Sequence, residues 1–256
     1  MSEKQFVGCI IQARMGSSRF PGKVLKQVYD KKTVLDCVIE QLRFSHKIDL
    51  IIVAISDLEK DDILEKFLIE NKISYFRGSE SDVLDRYYQC AIKYSLSIVV
   101  RIPSDKPLID PYFVDKIIEK FQENHFDYVT TFNPPTFPRG SEVEVFSIKS
   151  LIDVWKNAKL PSEREHVTPY FYTKNKFSIF NCSNHKNLSN IRYAVDRYED
   201  LLLVKEIFSK IKKRPIEMND ILELLDSEPL LLKINENVDH NEGYEKSLKE
   251  DKSKNH

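Results

Sequence analysis

Residues 12 to 23, QARMGSSRFPGK, follow the apolar run VGCII directly and gather three cations (Arg14, Arg19, Lys23), two hydroxyls (Ser17, Ser18), Ala13 and two glycines (Gly16, Gly22). Such a turn suits a polyanion: guanidinium and ammonium groups on a small backbone can surround phosphate oxygens, and ligands of open α/β sheets bind at the carboxyl edge of the strands. It is not a Walker loop. That pattern, G-x-x-x-x-G-K-[ST], has four residues between its glycines and a hydroxyl after its lysine. Here five residues separate Gly16 from Gly22, Pro21 interrupts them, and Val24 follows Lys23. On charge alone a solvated basic turn explains the segment equally well, so what faces the loop decides between the readings.

Two aspartates are placed to face it. Asp105 follows IVVRI through the turn in RIPSDKPLIDP, and Asp196 closes the strand-like run NIRYAVD. Either one alone reads as a turn or cap residue. At one sheet edge, opposite a cationic loop, the pair can hold a magnesium ion whose other ligands are phosphate oxygens. Nucleotidyl transfer needs this arrangement, because charge on a triphosphate is neutralised while an acceptor oxygen attacks the α-phosphorus. The residues after Asn133 add Arg139, Glu142, Glu144, Arg164, His166 and Tyr170. Their cations can pair a carboxylate or phosphate, and their glutamates can accept from sugar hydroxyls. The alternation of SEVEVFS also allows both glutamates to lie on a solvated strand face, and Glu144 is assigned to it.

The elements needed to position these groups are legible as alternating segments. VGCIIQ, DLIIVAIS, SYFRG, SIVVRI and DYVTTF are strand-like, and amphipathic stretches of about a dozen residues separate most of them, the signature of βαβ units in a parallel sheet. Ser81 is expected to cap the helix DVLDRYYQ, and Asp110 with Pro111 to open PYFVDKIIEKF. The texture changes at NPPTFPRGSEVEVFS. Residues 130–185 read as an inserted acceptor or dimerisation region holding the helix IKSLIDVWKNA and the polar stretch LPSEREHVTPYFYTKN. The core resumes with the strand NIRYAVD and the helices YEDLLLVKEIFSKI and MNDILELLDSEPLLLKI. Residues 1–234 thus form one domain, and the Lys-, Glu- and Asn-rich 235–256 is expected to be a disordered tail.

A chain of 256 residues, 41% hydrophobic and 31% charged, is ordinary for a globular protein. A net charge of −1 gives no field for sequence-independent nucleic-acid binding. Cys9, Cys37, Cys90 and Cys182 lack zinc or disulfide spacing, and His46, His125, His185 and His240 lack metal-ligand spacing to one another. No apolar run reaches about 18 residues and MSEKQF is no signal peptide, so a cytoplasmic protein without membrane contact is expected.

Six ordered blocks resemble the cytidylyltransferases that activate acidic sugars, the CMP-sialic acid and CMP-Kdo synthetases, and most closely their spore-coat polysaccharide branch. The blocks are IIQARMGSSRFPGKVL, GSESDVLDRY, VRIPSDKPLIDP, GSEVEVFS, REHVTPYFY and YAVDRYEDL. The resemblance implies a three-layer α/β/α Rossmann-like, GT-A-like nucleotidyltransferase fold, CTP as donor, Mg²⁺ dependence, release of pyrophosphate and a homodimer. Carried over by position, Arg14 and Lys23 are triphosphate ligands, with Ser17, Ser18 and Arg19 completing the loop. Asp105 and Asp196 match the metal aspartates. Ser79 and Asp82 match the block lining the nucleotide pocket, although helix capping explains both as well. The same blocks keep Glu142 and His166 as acceptor candidates. Gln12 stands where sialic and Kdo enzymes carry Pro, and Pro103-Ser104 where Kdo enzymes carry Gln-Gly, so these positions bear on base and acceptor choice. A nucleotide-sugar glycosyltransferase is the enzymatic alternative, but it would place a D-x-D metal pair on one loop. A non-catalytic nucleotide-binding protein is the other alternative, and the intact charged anchors argue against it.

Overall fold

The computed structural model of the protein describes residues 5–238 together with Asp251. β1 (Val7–Gln12) sends Cys9 and Ile11 into one apolar layer and Ile10 into the opposite one, as the two-residue period of a strand demands. A turn then leads to a short hairpin, β2 (Gln27–Tyr29) and β3 (Lys32–Thr33). Next come α1 (Val34–Leu42), β4 (Leu50–Ser56), α2 (Asp62–Glu70), β5 (Ser74–Gly78), α3 (Val83–Lys93), β6 (Ile98–Pro103), α4 (Pro111–Glu123) and β7 (Tyr128–Thr130). The chain continues through β8 (Glu144–Ser147), α5 (Ile148–Asn157), α6 (Pro161–His166), α7 (Pro169–Thr173), β9 (Ile179–Asn181), α8 (Tyr198–Lys210) and α9 (Met218–Ser227).

Seven strands form one sheet in the order β5-β4-β1-β6-β8-β7-β9. β5, β4, β1 and β6 are parallel, β8 runs antiparallel to both neighbours, and β7 pairs parallel with β9. α1, α2 and α4 bury their apolar stripes on one face, while α3, α5 and α7 bury theirs on the other. This is the expected α/β/α sandwich. α8 and α9 pack a third cluster around Tyr193 and Val195 beside the hairpin.

α4 illustrates why these segments fold as they do. Asp110 accepts from the amides of Tyr112 (2.9 Å) and Phe113 (3.0 Å), Pro111 opens the first turn, and Val114, Ile117, Ile118 and Phe121 form the buried stripe. Losing such a cap costs about 1 kcal/mol. Asp110 also accepts from the Met218 amide at 3.0 Å, which ties α9 to the same corner.

Several sequence expectations change. NIRYAVD makes one isolated bridge, Arg139 to Arg192, and no sheet strand. Its apolar residues face the α8 cluster rather than a strand partner, and Asp196 reaches the cleft from a loop. The region 130–185 is not set apart from the core, since it supplies β8 and β9 to the central sheet. Its polar stretch folds into α6 and α7, because Pro161 and Pro169 each open a short helix. Asp82, not Ser81, caps α3, accepting from the Asp85 amide at 2.9 Å. Glu144 is buried against Arg101 and the Tyr128 hydroxyl instead of facing solvent. The expected disordered tail lies mostly outside the described residues, as does His240. Within it, Asn235 is buried and donates to Asp200 at 2.8 Å, and Asp251 accepts from the Ser162 amide at 2.9 Å. No helix among the described residues is long and apolar enough to cross a membrane.

Candidate active site

The turn after β1 is closed at its neck. The Met15 carbonyl accepts from the amides of Ser17 (2.9 Å) and Gly22 (3.0 Å), and the Met15 amide donates to Asp61 at 2.7 Å. Asp61 is fully buried, and its other oxygen accepts from the Ser56 hydroxyl at 2.6 Å, so the neck is fastened to the end of β4. Gly22 adopts φ = 68°, a left-handed conformation that glycine takes without cost, and the turn of 3₁₀ helix it starts turns Lys23 inward.

Lys23 is the centre of the cleft's charge. Its ammonium donates to Asp105 Oδ2 (3.1 Å), Asp196 Oδ1 (2.8 Å) and the Val195 carbonyl (2.8 Å). Asp196 also accepts from Arg19 at 2.7 Å and from Arg192 at 2.6 Å. Asp200, fully buried, accepts from Arg192 Nε at 3.0 Å and from the amides of Asp196 and Arg197, both at 2.9 Å. Burial alone would raise the Asp196 pKa, but the Lys23, Arg19 and Arg192 cations outweigh it and hold the carboxyl far below the usual range. Burial works against the Lys23 ammonium, yet Asp105 and Asp196 outweigh that and raise its pKa. Both residues are therefore charged at neutral pH.

Around this cluster lies a cleft of roughly 480 Å³. Of the residues singled out in the sequence, Gln12, Ala13, Arg14, Ser17, Ser18, Arg19, Lys23, Ser104, Asp105, His166 and Asp196 line it together. The Ser104 amide donates to the Gln12 carbonyl at 3.1 Å, which fixes the strand ends of β1 and β6 side by side. Arg14, with a side chain 39% exposed, stands between Glu80 and Glu165 at 3.9 and 3.8 Å. His166 sits on the far wall, at the end of α6. Burial lowers its pKa, the Glu165 carboxylate opposes that, and Arg101 and Arg14 lower it further, so the ring is neutral at pH 7.

The remaining candidates stand outside the lining. Gly16 is part of the loop, but a Cβ there would meet Lys60 rather than the cavity. Ser79 accepts from the Asp82 amide at 3.0 Å, and Asp82 pairs with Arg164, which also donates to the Trp155 carbonyl at 2.8 Å. This couples α3 to α6 and is structural. Glu142 accepts from the Gly140 amide at 2.8 Å and pairs with the buried Lys106 at 3.1 Å. Tyr170 is buried with the α3 and α5 cluster. Arg139 runs beside 191–194, donating its amide to the Ile191 carbonyl at 2.9 Å and accepting from Tyr193 at 2.8 Å.

The cleft also contains Pro103, flagged beside Ser104 in the sequence, and four residues not singled out beforehand: Val24, Val83, Arg86 and Glu165. Arg86 is the informative one. It is 2% exposed and sits on the stripe by which α3 buries Val83, Leu84, Tyr87, Cys90 and Ala91. A lone arginine on an apolar helical stripe was the available signal.

The donor chemistry fits a hard divalent cation in part from the protein and in part from substrate. Among the described residues no group of three His, Cys, Asp or Glu could hold a metal ion. Two carboxylates meeting at Lys23 can supply hard oxygens, and magnesium is ordinarily bound by one or two carboxylates with phosphate oxygens and waters.

A mixed sheet whose parallel strands present at their carboxyl edge a cationic loop, paired aspartates and a roomy polar cleft defines a nucleotidyltransferase architecture. Comparison with known proteins agrees. A family model for cytidylyltransferases matches residues 8–242. An uncharacterized protein of Methanocaldococcus jannaschii is 38% identical over 90% of this chain and 94% of its own. The spore coat polysaccharide biosynthesis protein SpsF of Bacillus subtilis is 32% identical over 86% of this chain and 94% of its own. A solved cytidylyltransferase of Leptospira borgpetersenii superposes with a TM-score of 0.87 at 33% identity, covering 92% of this chain and all of the other. The chain belongs to the cytidylyltransferase family and is a CTP-dependent nucleotidyltransferase.

Proposed function

We propose that the enzyme moves CMP from CTP to an anionic acceptor, an acidic sugar, sugar phosphate or phosphonate, in the synthesis of a surface-polysaccharide or glycoconjugate precursor. The supporting observation is that Lys23, Asp105 and Asp196 meet within one cleft under the cationic loop. An acceptor oxygen forms a bond to the α-phosphorus while the bond from that phosphorus to the bridging oxygen breaks, and the electron pair leaves with pyrophosphate. Arg14, Arg19 and Lys23 hold the triphosphate, with Ser17 and Ser18 offering hydroxyls and amides. The developing charge on the leaving group is met by Lys23, whose ammonium exchanges carboxylate partners for phosphate oxygens. Where the acceptor is a hydroxyl, the neutral His166 ring can take its proton. Acceptor binding falls to the wall carrying Ser104 and His166, since Glu142, Arg164 and Tyr170 spend their groups inside the protein. Asp105 and Asp196 would hold Mg²⁺, which when bound neutralises phosphate charge and polarises the α-phosphorus.

A homodimer is part of this proposal. It is supported by the edge position of β9, where Ile179 is 37% exposed. Light scattering at micromolar concentration tests it, and a monomer there refutes it. The activity is tested by pyrophosphate release with each of the four nucleoside triphosphates and Mg²⁺, across acidic 2-keto sugars, sugar phosphates and phosphonates. Release is expected with CTP and an anionic acceptor. No release with any pair would sink the reading.

A further inference from the structure

Arg86 is a buried charge without an answer. It is 2% exposed, its guanidinium makes no hydrogen bond or ion pair among the described residues, and Nε and Nη1 are both shielded from solvent without a partner there. Burial lowers its pKa and the nearby Arg14 cation lowers it further, and the attraction of Tyr87, Glu80 and Asp61, none of them hydrogen-bonded to it, does not outweigh them. Leaving a buried charged donor unmade is costly, and a fold tolerates that cost where a ligand later removes it. The side chain lines the cleft, so an acceptor can reach it.

A second orphan shares that wall. Gln12 lines the same cleft, and its Oε1 is buried without a partner. Strand alternation puts Gln12 on the same face of β1 as Ile10, and Ile10 packs in the layer that contains Val83, Leu84 and Tyr87 of α3. The wall therefore asks a ligand for two opposite things: acceptors for Arg86 and a donor for the Gln12 carbonyl. A phosphate or carboxylate ionised at neutral pH supplies only acceptors. The pairing edge of cytosine supplies both, an exocyclic amine beside the acceptors N3 and O2. Uracil replaces that N3 acceptor by an N–H. An amide can turn over to suit either base, but a guanidinium only donates. Val83, apolar and on the same wall, suits the flat face of a base.

We propose that Arg86, with Gln12 beside it, reads the N3 and O2 edge of the pyrimidine and is the residue by which this enzyme prefers CTP to UTP. This rests on the CTP-dependent reading of the cleft, and the test separates the two. Calorimetry on the full chain with Mg²⁺ compares CTP, UTP and inorganic tripolyphosphate for wild type, Arg86→Met and Arg86→Lys. Wild type is expected to bind CTP at least about 100-fold tighter than UTP, the loss that follows when a buried donor meets another donor. In Arg86→Met the CTP preference falls to less than about 10-fold, while tripolyphosphate affinity stays within twofold. Arg86→Lys, which keeps the charge with a single donor head, recovers part of the preference. If Arg86→Met weakens CTP, UTP and tripolyphosphate equally, Arg86 holds phosphate and the proposal is wrong. If CTP still outbinds UTP as in wild type, it is also wrong. If wild type binds neither nucleotide, the CTP reading itself fails first.

Discussion

Two walls of one cleft are built on opposite rules. On one, three cations (Lys23, Arg19, Arg192) are interlaced with three carboxylates (Asp105, Asp196, Asp200), joined by ion pairs of 2.6 to 3.1 Å. On the other, Arg86 and Gln12 present buried polar atoms that no described residue satisfies. The first wall is complete before substrate arrives, so a ligand must exchange partners with it. The second is incomplete, so a ligand gains the whole interaction. Partner exchange is suited to groups whose charge changes during reaction, and unmet demand is suited to recognition.

The contrast is broken most severely at Asp105. Asp105→Ala is expected to lower turnover by at least about 1000-fold, the loss seen when a transition-state charge stabiliser is removed. The circular-dichroism spectrum should be unchanged, because this side chain is at the cleft and not in the core. A near-normal rate would remove Asp105 from the chemistry. Lys23→Met tests whether the first wall is self-sufficient. It leaves Asp105 without its cation and Asp196 with two of three, and should cost about 2 kcal/mol in urea unfolding as well as activity. Arg86→Met should do the reverse to the nucleotide-free protein and raise its stability by about 1 kcal/mol, since it removes an unpaired buried charge. Destabilisation there would mean that Arg86 serves the fold.

The smallest expected effect lies behind both walls, at Glu144. Burial raises its carboxyl pKa, but Arg101 and the Tyr128 hydroxyl outweigh burial and leave it below the ordinary value. A depressed carboxyl stabilises the fold above its unfolded pKa of about 4.3 and loses that contribution as pH falls through the folded value. The stability gap between wild type and Glu144→Gln, followed by urea titration from pH 7 to pH 3, should therefore narrow below about pH 4. A constant gap would show that the carboxyl stays unperturbed.

Arg19, Lys23 and Asp105 of the first wall were legible in the sequence because they are motif residues that follow strand ends, where the topology of a parallel sheet places side chains, whereas Arg192 and Asp200 were not singled out. The strands β1, β4 and β6 announced themselves as short β-branched runs, and β5 as the short aromatic-bearing run SYFRG. Asp196 was found for a partly mistaken reason. The run NIRYAVD has strand composition, but Tyr193 and Val195 are buried against α8, and local pattern cannot tell a strand face from a loop pressed on a helix. Of the second wall, Gln12 was singled out by its place in the loop, while Arg86 escaped because its meaning lies in missing partners. Its place on the apolar stripe of α3 could have marked Arg86 as buried, but nothing in GSESDVLDRY tells that it lacks a counter-ion. Glu144 misled in the opposite direction. Alternation implied a wet face, but the sheet continues past β8 and helices cover both sides, so it is buried with Arg101, and Glu142, kept as an acceptor candidate, is likewise buried with Lys106.

The neck at Met15 has a consequence for how the anion loop can vary. Because Gly22 folds back onto Met15 and Met15 is moored to Asp61, residues 16 to 21 form a ring whose two ends lie at one place. Its circumference can change without displacing β1 behind it or Lys23 ahead of it, since neither end has to travel. The five-residue interval between Gly16 and Gly22, which disqualifies the segment as a Walker loop, is thus an adjustable span. The grip on phosphate can be refitted there while the reacting centre stays where it is.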